Sequence, residues 1–375
     1  MKKYAMSHIC LSENEIDAAV AVLRSGALRQ GTQCEAFEEE FAEFVGARHA
    51  VCCSSGSAAL HLSYADCLQH GDELLVPSFT FFATASMAIH AGAVPVFCDV
   101  DPKTGLLDLA DAESRLTPRT RAIAPVHLYG NSCDIDRIET FARRHSLQVI
   151  WDAAQAHGTR YKGQDIGSRG TYVCYSFYPS KNMFVGEGGV ICTEDGEIAN
   201  RLRFLRAHGQ TGKYEHSMLG FNYRMTDVEA AIGREQLRRL PTMLARRRRN
   251  AELLFEILGD LPGVGVPTVS NHVEHSWHQF CITVDPKAFG CGRDELAQLL
   301  KVEGIPTGVH YPRGLHQQPI LKDHVRSRPL PVTEYLGKHT LALPIHHGLI
   351  DKDVRFIANG VRSAAAHSYQ VQQAA

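Results

Sequence analysis

The chain of 375 residues has no apolar run near the roughly 18 residues that would cross a membrane. Its 11 cysteines include no CxxC pair, and its 20 histidines include no HExxH spacing. Neither a zinc site nor a disulfide framework is indicated. Cys52, Cys98, Cys174, Cys192 and Cys281 lie in apolar stretches, where cysteine usually serves as a small core residue in a reducing compartment. Charge of one sign is also missing. The formal net charge is -2, which gives no electrostatic case for nucleic acid or an anionic membrane. No helix-turn-helix segment or basic face stands out. The one basic run, Arg246 to Arg249, reads as the solvated face of a helix. The N-terminus, MKKYAMSHICLSENEID, has two lysines but no continuous apolar segment, so no secretory signal is expected. Together these absences leave a cytoplasmic protein without a metal.

What is present is an ordinary globular composition, 44% hydrophobic and 21% charged, long enough for two domains. Helical spacing marks Glu13–Arg24 and Cys34–Val45. A regular alternation follows. Strands are expected at Ala50–Cys53, Glu73–Val76, Val94–Asp99, Arg121–His127, Leu147–Asp152 and Tyr172–Phe177. Helical segments separate most of them, at Ala58–Leu68, Ala83–Ala91, within Leu106–Leu116 and at Ile135–His145. Short apolar runs alternating with helices imply a mostly parallel sheet buried on both faces. Ligands gather at the carboxyl ends of such strands. Phe81, His127, Tyr129, Asp152 and Ser176 fall at those ends, which points to one site. Gly196–His208 reads as a helix, Gly209–Leu219 as a loop, and Asp227–Leu258 as largely helical with Pro241 as a kink or boundary. Beyond it come a strand at Gln279–Val284, a helix at Arg293–Glu303, a strand at Thr307–His310, a helix at Asp351–Ala365 and a frayed tail after His367. The division is a large domain, 1–245, and a smaller C-terminal α/β domain, 246–375.

The most informative stretch runs from Trp151 to Cys192. Asp152 ends an apolar run; Lys181 follows a turn at Pro179 and Ser180; glycines follow at 186, 188 and 189. An Asp at one strand end and a Lys after a later strand are what a pyridoxal phosphate site needs. The amine forms an imine with the aldehyde, and the carboxylate keeps the pyridine nitrogen protonated. Either residue alone is more often a helix cap or a surface Lys. Ser54-Ser55-Gly56-Ser57, opening a helix, would present free amides to a phosphate, although a plain capped helix has the same look.

DAAQAHG (Asp152 to Gly158), SFYPSKNM (Ser176 to Met183) and the GEGG around Glu187 resemble the DegT/DnrJ/EryC1/StrS family of sugar aminotransferases, from about Gly26 to about Leu349. The resemblance implies a pyridoxal 5'-phosphate-dependent transferase of fold type I acting as a homodimer with a shared active site. Lys181 and Asp152 would be catalytic. Gly56, Ser57 and Ser176 would bind the phosphate, Phe81 would stack on the ring, and Gln155 would hydrogen-bond the ring hydroxyl. Asn222 would reach the neighbouring subunit's cofactor. Arg29, His310 and Tyr311 would line the substrate mouth. Phe81 and His310 also have plainer readings, as a core aromatic and a strand-end polar residue. Where the family has a Gln, this chain has Glu229, and the helix there is expected to be intact. The implied reaction moves an amino group from L-glutamate to a keto-sugar, a nucleotide-linked 4-keto-6-deoxyhexose. A keto-cyclitol aminotransferase and a non-catalytic regulator that binds the cofactor are the alternatives. A sugar dehydratase of the same fold would carry His in place of Lys181, and a cysteine desulfurase would need a catalytic Cys on a loop, which none of the 11 cysteines suggests.

Overall fold

A computed structural model of the protein describes residues 4–321 and 328–374. The first two lysines therefore lie outside the described residues. Its centre is a seven-stranded sheet of β1 (His49–Cys53), β2 (Glu73–Pro77), β3 (Val94–Cys98), β4 (Thr120–Ile123), β5 (Gln148–Asp152), β6 (Tyr172–Ser176) and β7 (Gly189–Thr193). The spatial order is β1-β7-β6-β5-β4-β2-β3. β6, β5, β4, β2 and β3 run parallel; β7 alone runs against its neighbours, pairing antiparallel with both β6 and β1. All five residues of β2, β6 and β7 are buried. That two-sided burial is why these strands read as continuous apolar runs rather than alternating ones.

The crossover helices cover both faces. Those that bear on function are Gly56–Cys67, which leaves β1, and Ala83–His90, which leaves β2. β4 stops at Ile123, short of the expected His127. Pro125 has no N–H for the ladder, and Val126 re-pairs only as an isolated bridge to Asp152. The Gly209–Leu219 loop contains a short hairpin, Gln210–Gly212 with Glu215–His216.

The helix Asp227–Leu258 is continuous over 32 residues, so Pro241 does not end it. Its start is a capping box: Thr226 N–H and Oγ1 donate to Glu229 at 2.9 and 2.8 Å. Glu229 thus supports the helix, as expected. Arg247 corrects the reading of the arginine run. It is buried, and its guanidinium donates to the carbonyl of Trp277 at 3.0 Å.

A second apolar core gathers Ala251, Leu254, Phe280, Ile282, Leu300, Leu341 and Val361 beneath a three-stranded sheet of β8 (Val264–Gly265), β9 (Phe280–Val284) and β10 (Thr340–Leu343). The expected strand Thr307–His310 reduces to one bridge, Gly308 to Ala342. The last helix runs from Asp351 to Ala374, past the expected end at Ala365. Among the described residues no helix is long and apolar enough to cross a membrane.

Candidate active site

A cavity of about 510 Å³ opens at the carboxyl ends of β1, β2, β4, β5 and β6. It is the crevice where a parallel sheet collects ligands. Each strand hands over a short segment: Ser55 to Ser57 after β1, Thr80 and Phe81 after β2, Val126 after β4, Asp152 at the end of β5, and Ser176 at the end of β6.

Ser55 caps the helix Gly56–Cys67, its hydroxyl accepting the Ala58 N–H at 3.0 Å. The first amides of a helix have no partner within it. Ser176 lies directly against this helix start. A Cβ on Gly56 would sit 2.5 Å from Ser176 Cβ, and one on Gly189 would sit 2.4 Å from the Ser55 carbonyl oxygen. Two glycines therefore let the helix start, a hydroxyl and β7 share a space too small for side chains. Amides, a hydroxyl and a helix dipole converge there, which suits a phosphate.

Asp152 forms the floor. It is 4% exposed; Oδ2 accepts from Thr84 Oγ1 at 2.8 Å and Oδ1 from the Ala154 N–H at 3.1 Å. Burial raises its pKa above the usual carboxylate range, against the opposing pull of those two hydrogen bonds and of Lys181. A buried carboxylate in that condition favours a cationic partner such as a protonated pyridine.

Lys181 stands on the turn Tyr178-Pro179-Ser180-Lys181, closed by Lys181 N–H donating to the Tyr178 carbonyl at 2.9 Å. Proline fixes the second position of such a turn, so the lysine enters the cavity from a stiff support. Burial pulls its amine down to about 8, with Asp152 working the other way. Gln155 is held at both ends, accepting from the Tyr129 N–H at 2.8 Å and donating to the Tyr311 hydroxyl at 3.0 Å. A pyridine ring with a phosphate arm and an aldehyde fits this set: a carboxylate for the ring nitrogen, an amide cradle for the phosphate and an amine for the aldehyde. Among the described residues no group of three histidine, cysteine or carboxylate side chains is placed to hold a metal ion.

Phe81 is 58% exposed and lines the cavity, so it is not a core aromatic. Its ring lies 6.3 Å from that of Tyr311. His310 and Tyr311 also line the cavity, and the Tyr129 hydroxyl donates to the His310 carbonyl. Gly56, Ser57, Gln155, Ser176, Asp152 and Lys181 join them. Arg29 and Asn222 do not line this cavity; both are exposed elsewhere on the chain. Nor do His127 and Tyr129. His127 is buried, stacked on Trp151 at 5.0 Å, and burial pushes its pKa down to about 3. The strand-end argument therefore holds for Phe81, Asp152 and Ser176 and fails for these two.

Sequence reasoning missed Thr80, Glu187, His278 and Gln279 on the cavity wall, and Thr84 behind Asp152. His278 and Gln279 come from the far half of the chain. They reach the cavity because Gly130 has φ 96° and no side chain: a Cβ there would lie 2.9 Å from the His278 backbone nitrogen. Burial and the nearby charges of Lys181 and Arg247 push His278 well below its ordinary pKa, so it is a neutral imidazole.

Comparison with known proteins accords with this chemistry. The model of the DegT/DnrJ/EryC1/StrS aminotransferase family matches residues 9–362. The chain is 38% identical over 367 residues to the spore coat polysaccharide biosynthesis protein SpsC of Bacillus subtilis (strain 168), covering 94% of each. It superposes with a TM-score of 0.93 on S. venezuelae DesV, solved in complex with a ketimine intermediate, at 35% identity over 97% of this chain and 99% of that one. The TM-score with DesI, solved in the presence of its TDP-sugar product, is 0.91 at 32% identity, over 99% and 95%. The chain belongs to the DegT/DnrJ/EryC1/StrS aminotransferase family and is an aminotransferase whose cofactor is pyridoxal 5'-phosphate.

Proposed function

We propose that the protein moves an amino group from L-glutamate to a keto-sugar carried on a nucleotide, with a 4-keto-6-deoxyhexose as acceptor. The observation that carries the reaction type is the cavity that brings Lys181 and Asp152 together beside the Gly56–Ser176 cradle. The nucleotide-linked acceptor is supported by the likeness to DesI, whose product is a TDP-sugar.

When bound, pyridoxal phosphate supplies an aldehyde to carry the amino group and a ring that draws electrons from the adjacent carbon. The chain's residues do the rest. Lys181 is the attachment point, and its amine, once released by the donor, takes and returns the proton. Burial, which lowers that amine's pKa to about 8, favours its free base near neutral pH. Proton transfer by a positioned group is typically worth about 10²–10⁴-fold. Asp152 holds the ring nitrogen in its protonated form. Gln155, with one Nε2 proton still unassigned, serves the ring hydroxyl. Ser176 and the amides of Gly56 and Ser57 take the phosphate, and Phe81 covers a ring face. His310 and Tyr311 line the acceptor's path, and Arg29 its mouth.

Asn222 lies outside this cavity, so its role requires a second copy: we place it on the cofactor phosphate of the partner subunit in a cytoplasmic homodimer. The division into 1–245 and 246–375 belongs to the same proposal. The separate apolar core of the C-terminal part supports it.

The test is turnover of the holoprotein with L-glutamate and a panel of acceptors. A TDP-linked 4-keto-6-deoxyhexose is expected to be aminated with release of 2-oxoglutarate and ping-pong kinetics. Preference for a keto-inositol would replace the sugar with a cyclitol. Cofactor binding without any donor reaction would make the protein a regulator.

A further inference from the structure

Asp152 must be charged to serve a protonated ring, yet its burial disfavours the charge. Besides the Ala154 N–H and Lys181, a short chain of hydroxyls offsets this. Thr84, in the first turn of the helix Ala83–His90, is fully buried, and its Oγ1 lies 2.8 Å from Asp152 Oδ2. A hydroxyl has one proton to donate. Thr84 donates it to the carboxylate, so at the 3.3 Å contact between Thr80 Oγ1 and Thr84 Oγ1 it is Thr80 that donates. Thr80 in turn lines the cavity. Both protons point toward Asp152, along a path that begins at the cavity wall. Thr84 is itself anchored, its carbonyl accepting the hydroxyl of fully buried Tyr64 at 3.0 Å. A threonine in a helix often bonds back to its own turn; this one is aimed across the chain at a residue 68 positions away.

We propose that Thr84, backed by Thr80, is a positioning residue for the cofactor: it holds the Asp152 carboxylate in place as the partner of the pyridine ring. The inference rests on that role for Asp152. Valine has nearly the shape of threonine and cannot donate, whereas serine keeps the donor and loses a methyl group.

The experiment reconstitutes apoprotein with pyridoxal phosphate and follows the absorbance of the bound cofactor against pH, alongside the rate of its reaction with L-glutamate. Thr84→Val is expected to move the pH midpoint of the cofactor band and slow the reaction by roughly 10- to 100-fold, the worth of a hydrogen bond to a charged group. Thr84→Ser is expected to restore both. Thr80→Val, farther along the chain of hydroxyls, is expected to move the midpoint the same way by less, and it reports even if Thr84→Val folds poorly. In an Asp152→Asn background the valine effect is expected to vanish. A Thr84→Val band that titrates like the wild type would overturn the proposal, as would equal damage from serine and valine. A valine effect that persists without the carboxylate would do the same. A wild type in which Asp152→Asn leaves the cofactor band unchanged would overturn the Asp152 reading and this inference with it.

Discussion

Gly56→Ala tests the phosphate cradle by adding a single methyl group. That methyl would lie 2.5 Å from Ser176 Cβ, 3.0 Å from its Oγ and 3.1 Å from its Cα, where ordinary contact begins at 3.4 Å. None of these atoms is the loose end of a long side chain. Ser176 ends β6, which is paired on both edges, so either the helix start or the strand must give by nearly an ångström. Overpacking of this kind costs about 1–3 kcal/mol. The better helix propensity of alanine offsets up to about 1 kcal/mol of that. Stability should therefore fall by about 0–3 kcal/mol. Cofactor affinity should fall more clearly, by about tenfold or more, because each 1.4 kcal/mol lost from binding is tenfold and the displaced groups are those that meet the phosphate. Gly196→Ala is the matched control. Gly196 also opens a helix, but its Cβ would meet only the His49 ring, with Nε2 at 3.3 Å and Cε1 at 3.9 Å. Titration of both apoproteins with pyridoxal phosphate, read by absorbance, decides the matter. A Gly56→Ala protein that binds the cofactor as tightly as Gly196→Ala would refute the cradle.

Three further outcomes are expected. Lys181→Ala should abolish transamination, and in the wild type the proton-transfer step should speed up as pH rises through about 8 and then level off, since the free base of Lys181 is the active form; single-turnover rates against pH check both. Phe81→Ala should leave thermal stability nearly unchanged, because the ring is 58% exposed, while weakening cofactor binding by roughly two- to tenfold, the worth of ring stacking. Asp165 is buried, which pushes its carboxyl up to about 7. Its folded pKa lies above its unfolded one, so its neutral form stabilises the fold at low pH and that stability is lost as pH rises through about 7. Asp165→Asn should therefore stabilise the protein above about pH 7, by on the order of 4 kcal/mol at about 1.4 kcal/mol per pKa unit, and progressively less toward acid; urea unfolding at both ends of that range measures it.

The sheet and most of the candidate site were legible in the sequence because each rests on a local pattern. Buried parallel strands show as apolar runs, and Asp152, Ser176, Lys181 and Gly56 sit at strand ends or turns that short motifs mark. What was not legible depends on packing between distant segments. Four adjacent arginines look alike in sequence, yet the helical repeat turns Arg247 inward to the Trp277 carbonyl. His278 reaches the cavity only because Gly130, far away in sequence, leaves room for its backbone. Thr84 gave no signal, since nothing local says that a helix threonine faces a carboxylate 68 residues on. β7 was hidden among glycines whose reason is the tight approach to the Ser55 carbonyl. Arg29 and Asn222, assigned by resemblance alone, are like His127 and Tyr129 in not lining the cavity of a single chain.

The most direct test of the central claim is an absorbance titration of the purified holoprotein with L-glutamate. The account requires a cofactor band, lost in Lys181→Ala, that L-glutamate converts to the amine form with stoichiometric release of 2-oxoglutarate. A keto-sugar should then restore the original band. A band that no amino donor shifts would contradict the catalytic role of Lys181, and no band at all after addition of pyridoxal phosphate would contradict the reading of the cavity itself.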